Sequence, residues 1–243
     1  MKTMTIVAIS LAAAGLARGA EAEVIPSVGL VHVDEKNADT YYNYLAAVPV
    51  FRYWDDVSLR QAPLLTDDPD TSFGEGDEGA TASYLLVIGD PGEAKIAEAR
   101  DAYGVSAGNV STIEGDVITV AATLSTKWAQ ARDAVIAPYV PSGDKVAAAS
   151  ASYAAALASS LNAPLLYTYT KRTPYKTVAA LRRLGAKNVY VVDFGGKCRG
   201  GALENLSREN FYLRHTFKRA DEVTSFVESH LRKERINTLP RDA

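Results

Sequence analysis

The stretch Leu181–Gly196 reads LRRLGAKNVYVVDFGG and carries the clearest fold signal in the chain. Gly185 follows an arginine-rich helix end, and the apolar run Val189–Val192 comes shortly after it. Glycine directly after a helix is a common helix stop, and a continuous apolar run is typical of a strand buried on both faces. The stretch therefore predicts a helix that feeds one strand of a parallel sheet.

The flanking sequence extends this unit into an alternation of strands and helices. Strands are predicted at residues 134–137, 165–169, 189–192 and 212–217, and helices at 144–161, 174–184 and 221–233. Ser142 is predicted to cap the first of these helices, because its hydroxyl can accept a hydrogen bond from the first helical turn. A glycine-rich loop, residues 193–201, leaves the third strand. This alternation predicts an α/β fold with a doubly wound parallel sheet.

An internal repeat indicates that the chain contains this plan twice. The string APLL occurs at Ala62–Leu65 and again at Ala163–Leu166, 101 residues later. The apolar run Tyr84–Gly89 (YLLVIG) corresponds to Val189–Gly195 (VYVVDFG) at a similar spacing. Two tandem repeats are therefore predicted, at residues 23–133 and 134–243.

The first repeat departs from the second at several places. A helix is predicted at Asp39–Val50 and a closing helix at Val117–Arg132. Phe51–Leu59 is an insertion before APLL. After APLL the segment Asp67–Gly79 (DDPDTSFGEGDEG) is too rich in glycine, proline and aspartate to form the helix that the second repeat has there.

The N-terminus has the pattern of an export signal. A basic start at Lys2 precedes the apolar run Thr5–Ala17, and the small-residue pattern Ala20–Ala22 follows. The apolar run is shorter than the ~20 residues of a membrane-spanning helix. Residues 1–22 are therefore predicted to be a secretory signal peptide, leaving a secreted chain with no integral membrane span. The alternative is an amphipathic start of the first domain.

The charge of the chain is divided between its two halves. Among 243 residues, 26 are Lys or Arg and 29 are Asp or Glu, but residues 1–133 carry 9 against 20 and residues 134–243 carry 17 against 9. The net charges are thus −11 and +8. This asymmetry favours self-association of the acidic half with a basic half, or capture of an anionic polymer. The alternative is two solvated surfaces without a binding role.

The order of these motifs resembles the cell wall binding repeat 2 family of prokaryotic surface proteins. The resemblance rests on the alanine-rich helix before APLL and on Leu181–Gly196 with the strand and helix that follow, and it covers Asp133–Leu231 and, in outline, Ser27–Trp128. It implies flavodoxin-like modules and non-catalytic, S-layer-type assembly on, or attachment to, the cell envelope, often through anionic polymers. Such modules usually come in threes, whereas two are visible here. The family's Asp-Ala-Leu triplet is replaced within Tyr153–Leu157.

The glycine-rich loop is the predicted anion site. Glycines let backbone N–H groups approach a ligand, and the loop follows a strand end where doubly wound sheets bind ligands. A second basic group follows the preceding strand and is predicted to extend the same surface. The predicted polymer-binding residues are Gly195, Gly196, Lys197, Arg199, Lys171, Arg172 and Lys176. The alternative is an ordinary strand-to-helix turn.

The acidic loop after the first APLL is a candidate calcium site. Asp68, Asp70 and Ser72 alternate as the start of an EF-hand loop does, and Asp77 adds a carboxylate. Phe73 occupies the sixth position, where an EF-hand has glycine. The alternative is a hydrated acidic loop without a metal.

No sequence motif predicts catalysis. The chain lacks G-x-S-x-G, H-E-x-x-H and Walker-type patterns, and its three histidines are scattered. The single cysteine, Cys198, excludes an intrachain disulfide, and its neighbours Lys197 and Arg199 predict a lowered thiol pKa. We therefore expect a non-enzymatic surface protein that binds no nucleic acid. The alternative is a solute-binding protein with a ligand cleft between two α/β lobes.

Overall fold

The computed structural model describes residues 24–54, 58–68, 73, 81–141 and 143–238. The predicted signal peptide and Ser142 lie outside this set. The strands are β1 (Val24–Val31), β2 (Arg52–Trp54), β3 (Leu59–Gln61), β4 (Leu64–Thr66), β5 (Thr81–Ile88), β6 (Val110–Ile113), β7 (Asp133–Pro138), β8 (Leu165–Thr168), β9 (Asn188–Val192) and β10 (Tyr212–Phe217). The helices are α1 (Ala38–Phe51), α2 (Glu93–Ala102), α3 (Val117–Leu124), α4 (Lys145–Ser160), α5 (Tyr175–Leu184), α6 (Gly200–Arg208) and α7 (Ala220–Thr238).

Two four-stranded parallel sheets have the same strand order. The first runs β4-β1-β5-β6 and the second β8-β7-β9-β10, so β1 corresponds to β7 and β4 to β8. In both sheets the chain moves one way from its first strand and then returns across it, which is the flavodoxin-like doubly wound order. The predicted fold class of two tandem flavodoxin-like repeats is therefore confirmed. The insertion between α1 and β4 forms the antiparallel hairpin of β2 and β3.

The stretch that predicted the fold forms the expected elements. Pro174 precedes α5, and Gly185 ends it in the left-handed conformation with φ 67°. The predicted helix cap Ser142 is wrong, because α4 begins at Lys145 and the Asp144 carboxylate accepts from the backbone N–H groups of Val146 and Ala147. An aspartate caps a helix as well as a serine does.

The predicted closing helix of the first repeat is also wrong in length. Helix α3 ends at Leu124 and a single 3₁₀ turn, Ser125–Lys127, follows it. The hydroxyl of Ser125 donates to the Ala122 carbonyl, and the Arg183 guanidinium donates to the Ser125 carbonyl. Serine hydroxyls and an arginine that bond to the last carbonyls favour termination over continuation.

The two repeats share one hydrophobic core. Helix α1 packs on the first sheet and against α3, and both helices also contact β8, the edge strand of the second sheet. In addition, α1 contacts α4 and α3 contacts α5. The largest buried cluster accordingly joins side chains of both repeats, among them Phe51, Leu124, Ile136, Leu157 and Leu166. This arrangement buries the edge of the second sheet that would otherwise be open to pairing.

Tyrosines hold the contact between α1 and the second repeat. The Tyr42 ring meets the rings of Tyr139 and Tyr167 edge-on, with centroids 5.1 and 5.4 Å away. The Tyr167 hydroxyl donates to the Tyr42 carbonyl at 2.8 Å, and the Tyr139 hydroxyl donates to Asp39 at 2.6 Å. Burial raises the pKa of Tyr42 to about 12, so its hydroxyl stays protonated at neutral pH. The contact is therefore both apolar and hydrogen-bonded.

Within the described parts of the chain, none of the helices combines the length and apolarity needed to cross a bilayer.

Candidate functional site

The cations of the second repeat gather where its parallel strands end. Because all strands of a parallel sheet end at one edge, residues that follow them share that edge. We call this surface the basic edge; its cations, which follow β8, β9 and β10, are Lys171, Arg172, Lys176, Lys197, Arg199, Lys218 and Arg219. All the predicted polymer-binding residues lie on or beside it.

The predicted glycine-rich anion loop is wrapped around a carboxylate of the chain itself. Asp193, at the end of β9, is fully buried. Its carboxylate accepts from the backbone N–H groups of Lys197 at 2.6 Å and Cys198 at 3.0 Å. Gly195 and Gly196 make this turn possible with φ values of 76° and 66°. These two N–H donors are therefore occupied and do not face an external anion.

Side chains, rather than loop N–H groups, give the basic edge its available charge. Lys197 pairs with Asp144 and Lys218 lies 3.6 Å from Asp193. In the described part of the chain, Lys171, Arg172 and Arg199 are exposed and make no ion pair. These three are the cations best placed to meet an external anion.

Hydrogen bonds to backbone carbonyls hold together the loops that carry these three cations. The N–H of Arg199 donates to the Thr170 carbonyl at 2.8 Å, and the Thr173 hydroxyl donates to the Ala202 carbonyl at 2.8 Å. The Thr168 hydroxyl also bonds to the Arg172 carbonyl. The loop after β8 is therefore fixed against the start of α6. This contact holds Lys171, Arg172 and Arg199 on one rigid surface.

Asp144 connects a helix cap to the basic edge and has a perturbed acidity. The hydrogen bond from Lys197 and the N–H groups of the α4 N-terminus lower the pKa of the Asp144 carboxyl below its ordinary value. Because the folded-state pKa is depressed, the ionised Asp144 carboxylate stabilises the folded protein. This stabilisation is present above the unfolded-state pKa of about 4 and is lost as the pH falls through the folded-state pKa.

Replacing Asp144 with asparagine should isolate this charge effect. Asparagine caps helices as well as aspartate does, so the cap is retained and only the charge is removed. We expect wild type to be more stable than Asp144→Asn at pH 7, by less than about 1 kcal/mol because the pair is partly exposed, and the difference to vanish in acid. Urea unfolding at several pH values measures it. A difference that is independent of pH would contradict the assignment.

Cys198 has the opposite electrostatic character from the one its neighbours predict. Its side chain is 6% exposed, and burial raises the pKa of the thiol to about 12, with Asp193 contributing in the same direction. The predicted lowered thiol pKa is therefore wrong, because Lys197 points to Asp144 while the thiol faces the interior beside Asp193. A thiol in this state is a poor nucleophile at neutral pH.

The first sheet has an acidic counterpart of the basic edge. Carboxylates follow the end of every strand of this sheet, and we call the surface the acidic edge. Its residues are Asp34, Glu35, Asp67, Asp68, Asp90, Glu93, Glu114 and Asp116. Part of the charge asymmetry seen in the sequence thus lies at the carboxyl edges of the two sheets.

The acidic edge contains a paired histidine that the sequence did not single out. His32 Nδ1 lies 2.5 Å from Asp67 Oδ2, and the other Asp67 oxygen accepts the Val33 N–H at 2.8 Å. His32 follows β1 and Asp67 follows the neighbouring strand β4. The sequence could have predicted this pair, because residues that follow two adjacent parallel strands lie close together. The pairing satisfies His32, in keeping with a structural role.

The predicted calcium ligands are only partly placed. Asp68 is exposed just after β4. Asp70 and Asp77 lie outside the described residues, so the calcium site stays a prediction. Elsewhere in the described ranges, His, Cys, Asp and Glu side chains do not gather in a group of three or more suited to a metal ion.

The two edges lie side by side at one end of the molecule. Each helix starts where its preceding strand ends, and contacts join the first turns of helices from different repeats. Asp39 in α1 accepts from Tyr139 beyond β7, and Lys176 in α5 donates to the Thr119 hydroxyl in α3 at 2.5 Å. The Thr119 hydroxyl also lowers the pKa of Asp116, and Lys176 adds to this effect. One surface therefore has an acidic and a basic side.

These features define a class of protein: a tandem pair of flavodoxin-like modules with oppositely charged carboxyl edges. Two solved structures share the fold. Cwp6 from Clostridium difficile is 18% identical over 85% of this chain with a TM-score of 0.62, and Cwp8 from the same organism is 14% identical over 83% with a TM-score of 0.53. This chain spans 32% of the length of each. No family model and no curated protein sequence matches the chain.

Proposed function

We propose that this protein is a non-enzymatic component of the cell surface that attaches to the envelope by binding an anionic polymer at the basic edge. The observation that carries the proposal is the trio Lys171, Arg172 and Arg199, exposed and without ion pairs in the described structure. A linear polyanion is recognised by several cations that act together, because each exposed pair contributes little. The trio offers that multiplicity on a fixed surface.

The shared fold supports a cell-surface role. Cwp6 and Cwp8 are cell wall proteins, and the modules they share with this chain cover most of its length. The predicted signal peptide fits the same location. The proposal includes the assembly of envelope-bound molecules into an S-layer-type lattice. It also includes the anionic character of the polymer.

The contact between the repeats argues against the solute-binding alternative. A binding protein of that kind needs lobes that separate around a ligand cleft. Here α1 and α3 pack directly onto β8, α4 and α5, and one hydrophobic cluster continues through the contact. Opening this contact would expose large apolar side chains, including Tyr42 and Tyr167. The geometry favours a fixed pair of modules that binds through its surface.

Envelope co-sedimentation tests the proposal. The triple variant Lys171→Glu, Arg172→Glu, Arg199→Glu should bind purified cell envelopes at least about tenfold more weakly than wild type, which corresponds to about 1.4 kcal/mol. Binding of wild type should also fall steeply when salt is raised from about 50 mM to about 500 mM, because the screening length shrinks below the reach of exposed charges. Adding calcium in a parallel series tests whether the acidic loop contributes.

The matched control reverses three cations elsewhere in the same repeat. Arg132, Lys187 and Arg208 are exposed, and Arg132 and Lys187 precede β7 and β9 at the opposite edge of the second sheet. The triple variant Arg132→Glu, Lys187→Glu, Arg208→Glu changes the net charge equally and should retain binding. Equal loss of envelope binding in both triple variants would mean that only net charge matters and would contradict a site at the basic edge. Wild-type protein that stays in the supernatant at every salt concentration would overturn the proposal.

A further inference from the structure

The boundary between the acidic and basic edges carries exposed apolar side chains. Tyr175, the first residue of α5, is 79% exposed, and Val146, in the first turn of α4, is 42% exposed. Both helices start at the carboxyl edge of the second sheet, next to the contacts with α1 and α3. Tyrosine is enriched among the residues that contribute most of the binding energy in protein interfaces.

The surface as a whole has the layout of an interface. Tyr175, next to the contact between Lys176 and Thr119, lies between carboxylates on one side and cations on the other. On the acidic side Glu35 and Glu114 are exposed and unpaired among the described residues, and on the basic side Lys171 and Arg172 are exposed and unpaired as well. Apolar centres with charged rims are common in specific protein–protein contacts.

We propose that this surface binds a second copy of the same chain, forming a closed twofold dimer. A surface with opposite charges on its two sides is self-complementary when a copy is turned over by a twofold axis along the boundary. The acidic edge of each copy then faces the basic edge of the other, and Tyr175 of one copy lies near Tyr175 of its partner. Both attractive contacts form in one dimer.

The side-by-side placement of the two edges decides between closed and open assembly. Acidic and basic surfaces at opposite ends of a molecule would join head to tail and propagate. Here Lys176 and Thr119 connect the two edges at one end, so a dimer uses both edges at once and leaves neither for a third copy. The inference does not depend on polymer binding. Because both use Lys171 and Arg172, the polymer and the second copy compete for these two cations.

Sedimentation velocity and light scattering of the full chain test the dimer. At about 50 mM salt wild type should be a dimer at tens of micromolar protein, and at about 500 mM salt a monomer. The variant Lys171→Glu, Arg172→Glu should dimerise at least about tenfold more weakly, and so should Glu35→Lys, Glu114→Lys. Mixing the two variants should restore a dimer, because opposite charges then face each other on both sides.

Tyr175 separates dimer formation from polymer binding. Tyr175→Ala should weaken the dimer at least about tenfold, while Tyr84→Ala, which removes another exposed tyrosine on β5, should not. Envelope binding should survive Tyr175→Ala, because Lys171, Arg172 and Arg199 are unchanged in this variant. In solution without envelopes, a monomer at low salt, growth beyond a dimer, or two variants that do not complement each other would overturn the proposal.

Discussion

Replacing Tyr42 with alanine should destabilise both repeats together, by about 3–5 kcal/mol of unfolding free energy. Tyr42 is 1% exposed and lies where α1 meets the second repeat. Its truncation removes edge-on ring contacts with Tyr139 and Tyr167 and leaves a cavity inside the shared core. Urea unfolding followed by circular dichroism measures the free energy, and hydrogen exchange shows which strands lose protection.

The pattern of the loss is as informative as its size. Because the core is continuous, wild type should unfold in one transition, and the variant should lose exchange protection in β1 and β5 as well as in β7 and β9. The control is Tyr84→Ala, since Tyr84 is 57% exposed and its removal should change the free energy by less than about 1 kcal/mol. Loss confined to the first repeat would contradict a shared core.

A single cooperative unit also matters for the charged surface. The acidic and basic edges form one surface only while α1 stays packed on α4 and α3 on α5. Loosening of the Tyr42 contact would let the two edges move independently. We therefore expect Tyr42→Ala, in the fraction that remains folded, to weaken self-association more than envelope binding, because the latter uses the second repeat alone.

The parts of the fold that the sequence predicts well are those with a distinctive local pattern. Strands β7 and β9 are buried on both faces, so their residues form apolar runs that few other structures produce. Helix α5 has proline before its first residue and glycine after its last, and its predicted limits agree with the structure to one residue. The repeat can be recognised in the sequence because APLL lies at equivalent strands, β4 and β8.

The elements that escaped prediction lack such a pattern. Helix α2 buries only Ala99 completely, so its sequence shows little apolar periodicity. Helix α6 starts with two glycines, the residue least favourable to helices after proline, and it forms because the loop after β8 is bonded to its N-terminus. The two repeats also gave no sequence signal of how their edges are placed, since that depends on packing between distant helices.

Replacing Asp193 with alanine should cost about 3–5 kcal/mol, because it removes a buried carboxylate that binds two backbone N–H groups and faces Lys218. The backbone N–H groups of Lys197 and Cys198 would lose their hydrogen-bond acceptor. The carboxylate holds the loop in its inward conformation together with the Ser150 hydroxyl, which accepts from the Phe194 N–H. Chemical unfolding measures the loss of stability.

The thiol of Cys198 reports whether the loop has opened. In wild type it is buried and has a raised pKa, so a thiol-reactive dye should label it slowly at pH 7. In Asp193→Ala the labelling rate under folding conditions should rise at least about tenfold. Asp193→Asn, which keeps one acceptor, should be intermediate, and Asp221→Ala, an exposed carboxylate beyond β10, should resemble wild type.

Loop opening would also change the basic edge, since Arg199 is held by the same turn. If the inward conformation of the loop positions Arg199 for polymer binding, Asp193→Ala should weaken envelope binding although it removes a negative charge. A purely electrostatic effect of net charge would strengthen binding instead. The sign of the change therefore distinguishes a positioned cation from a diffuse basic surface, and stronger binding by this variant would contradict the role given to the loop.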